Sequence, residues 1–200
     1  HHNAPIPNAL RKWTHSKVNI MSRITTVNYQ TATTEQQGLF DAIQAQLGVV
    51  PNFLKVFAHS PVALRAFLGL YGVAGAGSLE PKTRERIALA VAQQNTCEYC
   101  LSAHTAIGRK AGLDNSEIAA NRAGSSQDAK AAVAVKFAQA LVEHSGDVAT
   151  ADILAMREVG YSDSDIVEVI THVGMNFLTN ILGKASRVDI DFPKVSVNLA

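Results

Sequence analysis

Glu85-Arg-Ile-Ala-Leu-Ala-Val-Ala-Gln-Gln-Asn-Thr-Cys97-Glu-Tyr-Cys100-Leu-Ser-Ala-His104 is the stretch that decides how the chain is read. Nothing in it alternates as a half-buried strand would, and Pro81 upstream and Thr96 within it stand where helices start. The reading is one helix from Pro81 to about Gln94 and a second from about Cys97 to Ala111, closed by Gly112. At about 100° per residue, Cys97, Cys100 and His104 fall within an arc of roughly 60°. Leu101, Gly108 and Ala111 share that arc, whereas Glu98, Ser102, Arg109 and Lys110 lie outside it. Sulfur and imidazole are therefore expected to face the interior.

Chemistry follows from that placement. Residues three apart on a helix lie about 5–6 Å apart, within disulfide reach. With Thr96 as cap, Cys97 falls in the first turn, where free N–H groups and the helix dipole favour a thiolate. His104, one turn after Cys100, is placed to accept or share its proton. Glu85 is the second anomaly: it shares a face with Ala88, Leu89 and Ala92, while Lys82, Arg86 and Gln93 point elsewhere. A carboxylate on an apolar stripe is costly unless paired, hydrogen-bonded or protonated, which makes it a candidate for proton transfer. Blander readings stay open for each residue alone: a structural thiol pair, a carboxylate salt-bridged to an arginine, a satisfied core histidine. Cys97, Cys100, His104 and Glu85 also amount to four metal ligands, but structural zinc draws its ligands from loops and a second knuckle rather than one continuous helix. No metal is expected.

The same punctuation continues outward in both directions. Thr34 with Gln37 opens a helix ending at Gly48, and Ser60-Pro61 opens another to about Gly75. Ser116 starts a short helix; Gln127–Ser145 is a long one ended by Gly146; residues 151–159 end at Gly160; Ser162 with Asp165 caps a last helix to about Ser186. The tail from Arg187 reads as an extended arm. The fold class is all-α. Gly112-Leu-Asp-Asn-Ser-Glu-Ile118 recurs 48 residues later as Gly160-Tyr-Ser-Asp-Ser-Asp-Ile166, either a repeated stop-and-cap signal or the trace of a duplicated helical unit.

Of the 200 residues, 47% are apolar and 18% charged, with a net charge of +1. That balance gives no electrostatic case for nucleic acid or a membrane surface, and no apolar run reaches the roughly 20 residues that span a bilayer. His1 and His2 read as the end of a tag or leader remnant over residues 1–20, Met21 as the start, and 21–200 as one helical domain. No signal-peptide core follows Met21, so a soluble, cytoplasmic protein is expected. Two cysteines are too few for a disulfide scaffold, and their closeness makes their work local. Gly69, Gly72, Gly75 and Gly77 follow no strand, so no phosphate loop and no nucleotide, haem or flavin cofactor is implied. Apolar helices such as Phe53–Ala76 and Ala129–Val142 imply a homo-oligomer.

Glu85, then Cys97-x-x-Cys100, then His104 resembles the signature of the alkylhydroperoxidase D-like / carboxymuconolactone decarboxylase superfamily, in its peroxidase-related branch. The resemblance implies an alkylhydroperoxidase D-like helical bundle and a thiol-dependent peroxidase acting on hydrogen peroxide or organic hydroperoxides. It implies that Cys100 attacks the peroxide, Cys97 resolves it as a disulfide, Glu85 and His104 relay protons, and a reducing dithiol protein or small thiol restores the pair. Trimers or hexamers are implied as well. One departure stands out: the alkylhydroperoxidase D type has a histidine just before the second cysteine, where this chain has Tyr99. The alternatives are an acid–base enzyme like the decarboxylase branch, which uses no cysteine pair, and a redox-responsive protein without catalysis.

Overall fold

Prolines at first helical positions and glycines just past helix ends set most of the boundaries in the computed structural model, which describes residues 22–198. The expected tag and start fall outside the described residues. The helices are α1 (Thr34–Leu47), α2 (Asn52–Phe57), α3 (Pro61–Gly75), α4 (Pro81–Gln94), α5 (Glu98–Lys110), α6 (Asn115–Arg122), α7 (Ala129–Glu143), α8 (Thr150–Glu158) and α9 (Asp163–Ser186), with a 3-10 turn at Tyr29–Thr31. No strand occurs among the described residues, as expected of an all-α chain.

Several starts differ from expectation by a residue or two. The capping box of α1 is Thr33 with Gln36, one position earlier than expected. Asp114 rather than Ser116 caps α6, and Asp128 caps α7, because a carboxylate accepts the third N–H of the helix well. The apolar stretch Phe53–Ala76 is two helices, not one. Ser60 accepts from the Ala63 N–H and Pro61 has no N–H to give, so the chain restarts there as α3. Gly112 and Gly160, at φ of 92° and 86°, both stop helices in the left-handed region before a capped one. The helices that follow differ greatly in length, 8 residues against 24.

Burial centres on α4, where every residue from Arg86 to Ala92 is buried. One side, Ile87 and Val91, packs with Phe137 and Leu141 of α7, Met156 of α8 and Val169 and Val173 of α9. The other side, Leu89 and Ala92, packs with Cys97, Cys100 and Leu101 of α5 and Ile118 of α6. A third cluster joins α1, α2 and α3 through Phe40, Leu54, Phe57 and Phe67, and Met175 of α9 closes it. Among the described residues, only α9 is long and apolar enough to cross a membrane by composition, and its buried Asn176 and Asn180 are turned into this core.

Arg86, expected to point away from the core, is buried because it has a partner there. Its Nε donates to Glu117 of α6 at 2.7 Å, and Glu117 also accepts from Asn121, Ser126 and the Gln127 N–H. Burial alone pushes the Glu117 carboxyl up, but those hydrogen bonds outweigh it and hold it below the usual carboxylate range. Removing one member of a buried pair leaves the other charge uncompensated. Glu117→Ala is therefore expected to lose about 3–5 kcal/mol of stability in denaturant unfolding, with Arg86→Ala losing a comparable amount.

Candidate functional site

The turn between α4 and α5 is built to bring two sulfurs against a third helix. Thr96 takes φ of 53°, a left-handed conformation uncommon for a threonine, and its hydroxyl donates to the Asn95 carbonyl at 2.7 Å. Thr96 is therefore not the cap. Cys97 is: its Sγ accepts from the Cys100 N–H at 3.3 Å, so the first cysteine lies at the helix end rather than in the first turn. Lys184 of α9 holds the turn from outside, its Nζ donating to the Asn95 carbonyl and the Thr96 hydroxyl at 2.8 and 3.1 Å.

Cys97 and Cys100 are joined as a disulfide, with Cα atoms 5.3 Å apart, and both are buried. Their wall is α9 at Gly183. A Cβ there would sit 3.2 Å from the Cys97 sulfur and 3.7 Å from that of Cys100, so glycine is what lets the helix backbone touch the bridge.

Glu85 and His104 also come together. Oε2 of Glu85 lies 2.9 Å from Nδ1 of His104, with side chains 15% and 19% exposed. The partner of Glu85 is thus the histidine; the adjacent arginine is committed to Glu117. Gly108 makes room: a Cβ there would meet Leu113 Cδ1 at 3.1 Å and Glu85 Cβ at 3.8 Å. With Nδ1 occupied, Nε2 is the ring nitrogen left to exchange a proton with a thiol or substrate. Among the described residues no three His, Cys, Asp or Glu side chains are grouped to hold a metal ion.

Tyr99, at the position of the absent histidine, is turned to a different task. Its hydroxyl donates to Asp191 at 2.7 Å and accepts from the Phe53 N–H at 3.2 Å, while its ring meets Phe53 and Phe192 edge-on. Burial, then the hydrogen bond to the Asp191 carboxylate, pushes its phenol well above the ordinary tyrosine value. Tyr99 anchors the C-terminal arm. Ser102, expected outside the buried arc, is buried under the same arm and accepts from the Val195 N–H at 2.9 Å. Gln93 and Arg122 bind the carbonyls of Val197 and Ser196 further along.

One residue the sequence reading missed is His172. It lies on α9 in line with Asn176, Asn180 and Gly183, and its Nε2 is buried without a partner among the described residues. The signal was present: three polar residues four apart in an apolar helix mark an inward polar stripe. Burial, then the Arg84 charge, pulls its pKa below the ordinary value; the Ala74 carbonyl and the Glu168 and Glu85 carboxylates act in the opposite sense.

A disulfide-bonded cysteine pair at a helix start, with a carboxylate–imidazole couple on the two helices it joins, makes a candidate redox site on an all-α scaffold. Residues 61–143 match the carboxymuconolactone decarboxylase family. An uncharacterized peroxidase-related protein from Silicibacter sp. TM1040 is 30% identical, over 83% of this chain and 91% of that one, with a TM-score of 0.73. The chain belongs to the carboxymuconolactone decarboxylase / alkylhydroperoxidase D superfamily. The same fold recurs at 24% identity in a peroxidase-related protein with an alkylhydroperoxidase AhpD core from Ralstonia eutropha JMP134, with a TM-score of 0.77 over 85% of this chain and 92% of that one. It recurs again at 18% identity in the debrominase Bmp8 in complex with 2,3,4-tribromopyrrole, with a TM-score of 0.73 over 86% and 93%. No curated protein matches the sequence significantly.

The buried histidine makes stability depend on pH. Its folded pKa lies below the ordinary 6.5, so the unfolded chain binds the proton more readily. The stability held by neutral His172 is complete above that ordinary value and is lost as pH falls below it. Melting temperatures measured from pH 7 to pH 5 should fall more steeply in the parent than in His172→Gln.

Proposed function

We propose that the chain is a thiol-dependent peroxidase that reduces hydrogen peroxide or organic hydroperoxides through a Cys97–Cys100 disulfide cycle. The observation that carries the reading is a disulfide-bonded pair at the start of α5 with the Glu85–His104 couple a turn further along. In the reduced state His104, oriented by Glu85, takes the Cys100 proton and leaves the thiolate, the reactive form. The thiolate attacks one peroxide oxygen. An S–O bond forms, the O–O bond breaks, and the departing alkoxide leaves as an alcohol, or as water from hydrogen peroxide, with the proton His104 carries. Cys100 is now a sulfenic acid, oxidised by two electrons. The Cys97 thiol displaces its hydroxyl as water and the disulfide forms. A dithiol protein or small thiol of the reducing cytoplasm then exchanges with the disulfide, ending oxidised itself.

Two effects compete for which sulfur meets the peroxide. Capping gives Cys97 the full helix N-terminus, about 0.3–1 kcal/mol in favour of its thiolate. A paired imidazolium shifts a thiol by more than that, and His104 stands one turn from Cys100. Cys97→Ser is expected to consume one equivalent of peroxide and leave a dimedone-reactive sulfenic acid on Cys100, whereas Cys100→Ser traps nothing. Labelling of Cys97 alone would reverse the assignment. A pair that cycles between dithiol and disulfide without consuming peroxide would support the redox-responsive reading instead.

Glu85→Gln keeps the shape of the couple but removes the carboxylate that orients His104 and can carry a proton. It is expected to lower peroxide turnover about 100-fold with an unchanged helical circular dichroism spectrum. Equal turnover from pH 6 to 8 would make Glu85 structural.

A further inference from the structure

The buried polar stripe of α9 has an opposite face with no partner among the described residues. Val167, Ile170, Gly174, Phe177, Leu178 and Ile181 are all exposed. Taking 167, 170, 174, 177 and 181, the spacing is three, four, three, four, the seam by which one helix packs along another. The seam carries no charge, and the nearby Glu168 is turned to the N–H groups of Ser78 and Leu79. A two-fold axis at Gly174 pairs this face with itself, with Phe177 meeting Thr171. Rotation by 180° about Gly174 sets Val167 against Ile181, Ile170 against Leu178, and Gly174 against itself.

Gly174 is the informative residue. A glycine inside a helix costs about 1 kcal/mol relative to alanine, and a Cβ at this position would meet nothing within 4 Å among the described residues. Its own fold gives no reason for it. Two helices crossing at that point do, because they approach closest where neither has a side chain. The five apolar side chains of the seam expose on the order of 400 Å², more than scattered surface residues of a monomer leave open. With Leu70 and Val73 of α3 and Leu154 of α8, also exposed on helices packed against α9, the area approaches the roughly 800 Å² per partner of a standard interface.

We propose that α9 pairs antiparallel with α9 of a second copy of this chain, about a two-fold axis passing at Gly174. The apolar face that drives association lies here, and not on α7, whose Ala131, Ala134, Val135, Phe137, Ala138 and Leu141 are already buried within the chain. The proposal does not rest on the thiol chemistry proposed above. A two-fold pair is a unit of a dimer or of a hexamer, but not of a simple trimer.

The test uses the full chain. Light scattering at micromolar concentration should give an even multiple of the chain mass, halved or reduced to monomer in the double variant Ile170→Glu, Phe177→Glu. Both positions are exposed, so circular dichroism should report an unchanged fold. Gly174→Cys should form an intermolecular disulfide under mild oxidation, seen as a doubled mass on a non-reducing gel. Gly38→Cys, on exposed α1 with equal room, should not. A monomer, a trimer, an assembly indifferent to the double variant, or cross-linking equal at positions 38 and 174 would each overturn the proposal. A monomer would leave the face to a different protein.

Discussion

The rest of the molecule depends on α4 being surrounded. A helix packed on nearly every side must carry small or well-fitting side chains all round, and Ile87-Ala-Leu-Ala-Val-Ala92 is such a sequence: three alanines let neighbours approach, and three larger residues key them in place. Polar residues are tolerated only toward its ends, where Arg86 finds Glu117 and Glu85 finds His104. The candidate site residues sit at these ends because they are where the packing of α4 relaxes. Glu85 enters near the beginning of α4, and the two cysteines follow from the turn that ends it.

That turn couples local strain to tertiary contact. A left-handed threonine costs free energy that a short connection does not repay by itself. Here Lys184 and Asn180 of α9 hydrogen-bond to the segment around it, and Cys97 serves as the cap that Thr96 cannot be. The geometry of the dithiol therefore belongs to three helices rather than to the Cys-x-x-Cys motif alone. Change in α9 is change in the site, although α9 contributes neither sulfur nor proton carrier to it.

What could be read in the sequence was whatever is encoded locally. Proline, serine and glycine at helix ends, the 3.6-residue period, and the spacing from Glu85 to His104 all act within a turn or two, and these made the helices and the four candidate residues legible. What was misread depends on parts of the chain far apart. Arg86 and Ser102 look solvent-directed on a helical wheel and are buried by α6 and by the C-terminal arm. Tyr99 stands beside the sulfurs in sequence but is engaged by Asp191, 92 positions away. Helix α2 is only six residues long, too short for a periodic signal. Thr96 was taken as the cap from residue type, and only its backbone angle shows that the next residue caps instead.

Glycine at 183 limits which way the two sulfurs can part in the proposed cycle. Two thiols need more room than a disulfide, since sulfurs that are no longer bonded must separate to van der Waals contact. On the α9 side there is no side chain to swing away, only a hydrogen-bonded backbone that gives very little. The opposite side of α5 is covered by the arm beyond Arg187, which has no ladder of its own and is fastened by a few bonds at Tyr99, Ser102 and Gln93. The sulfur face of α5 thus has a stiff neighbour and its far face a lightly fastened one, so in the proposed cycle the room for two thiols comes from α5 moving toward the arm rather than from α9 yielding.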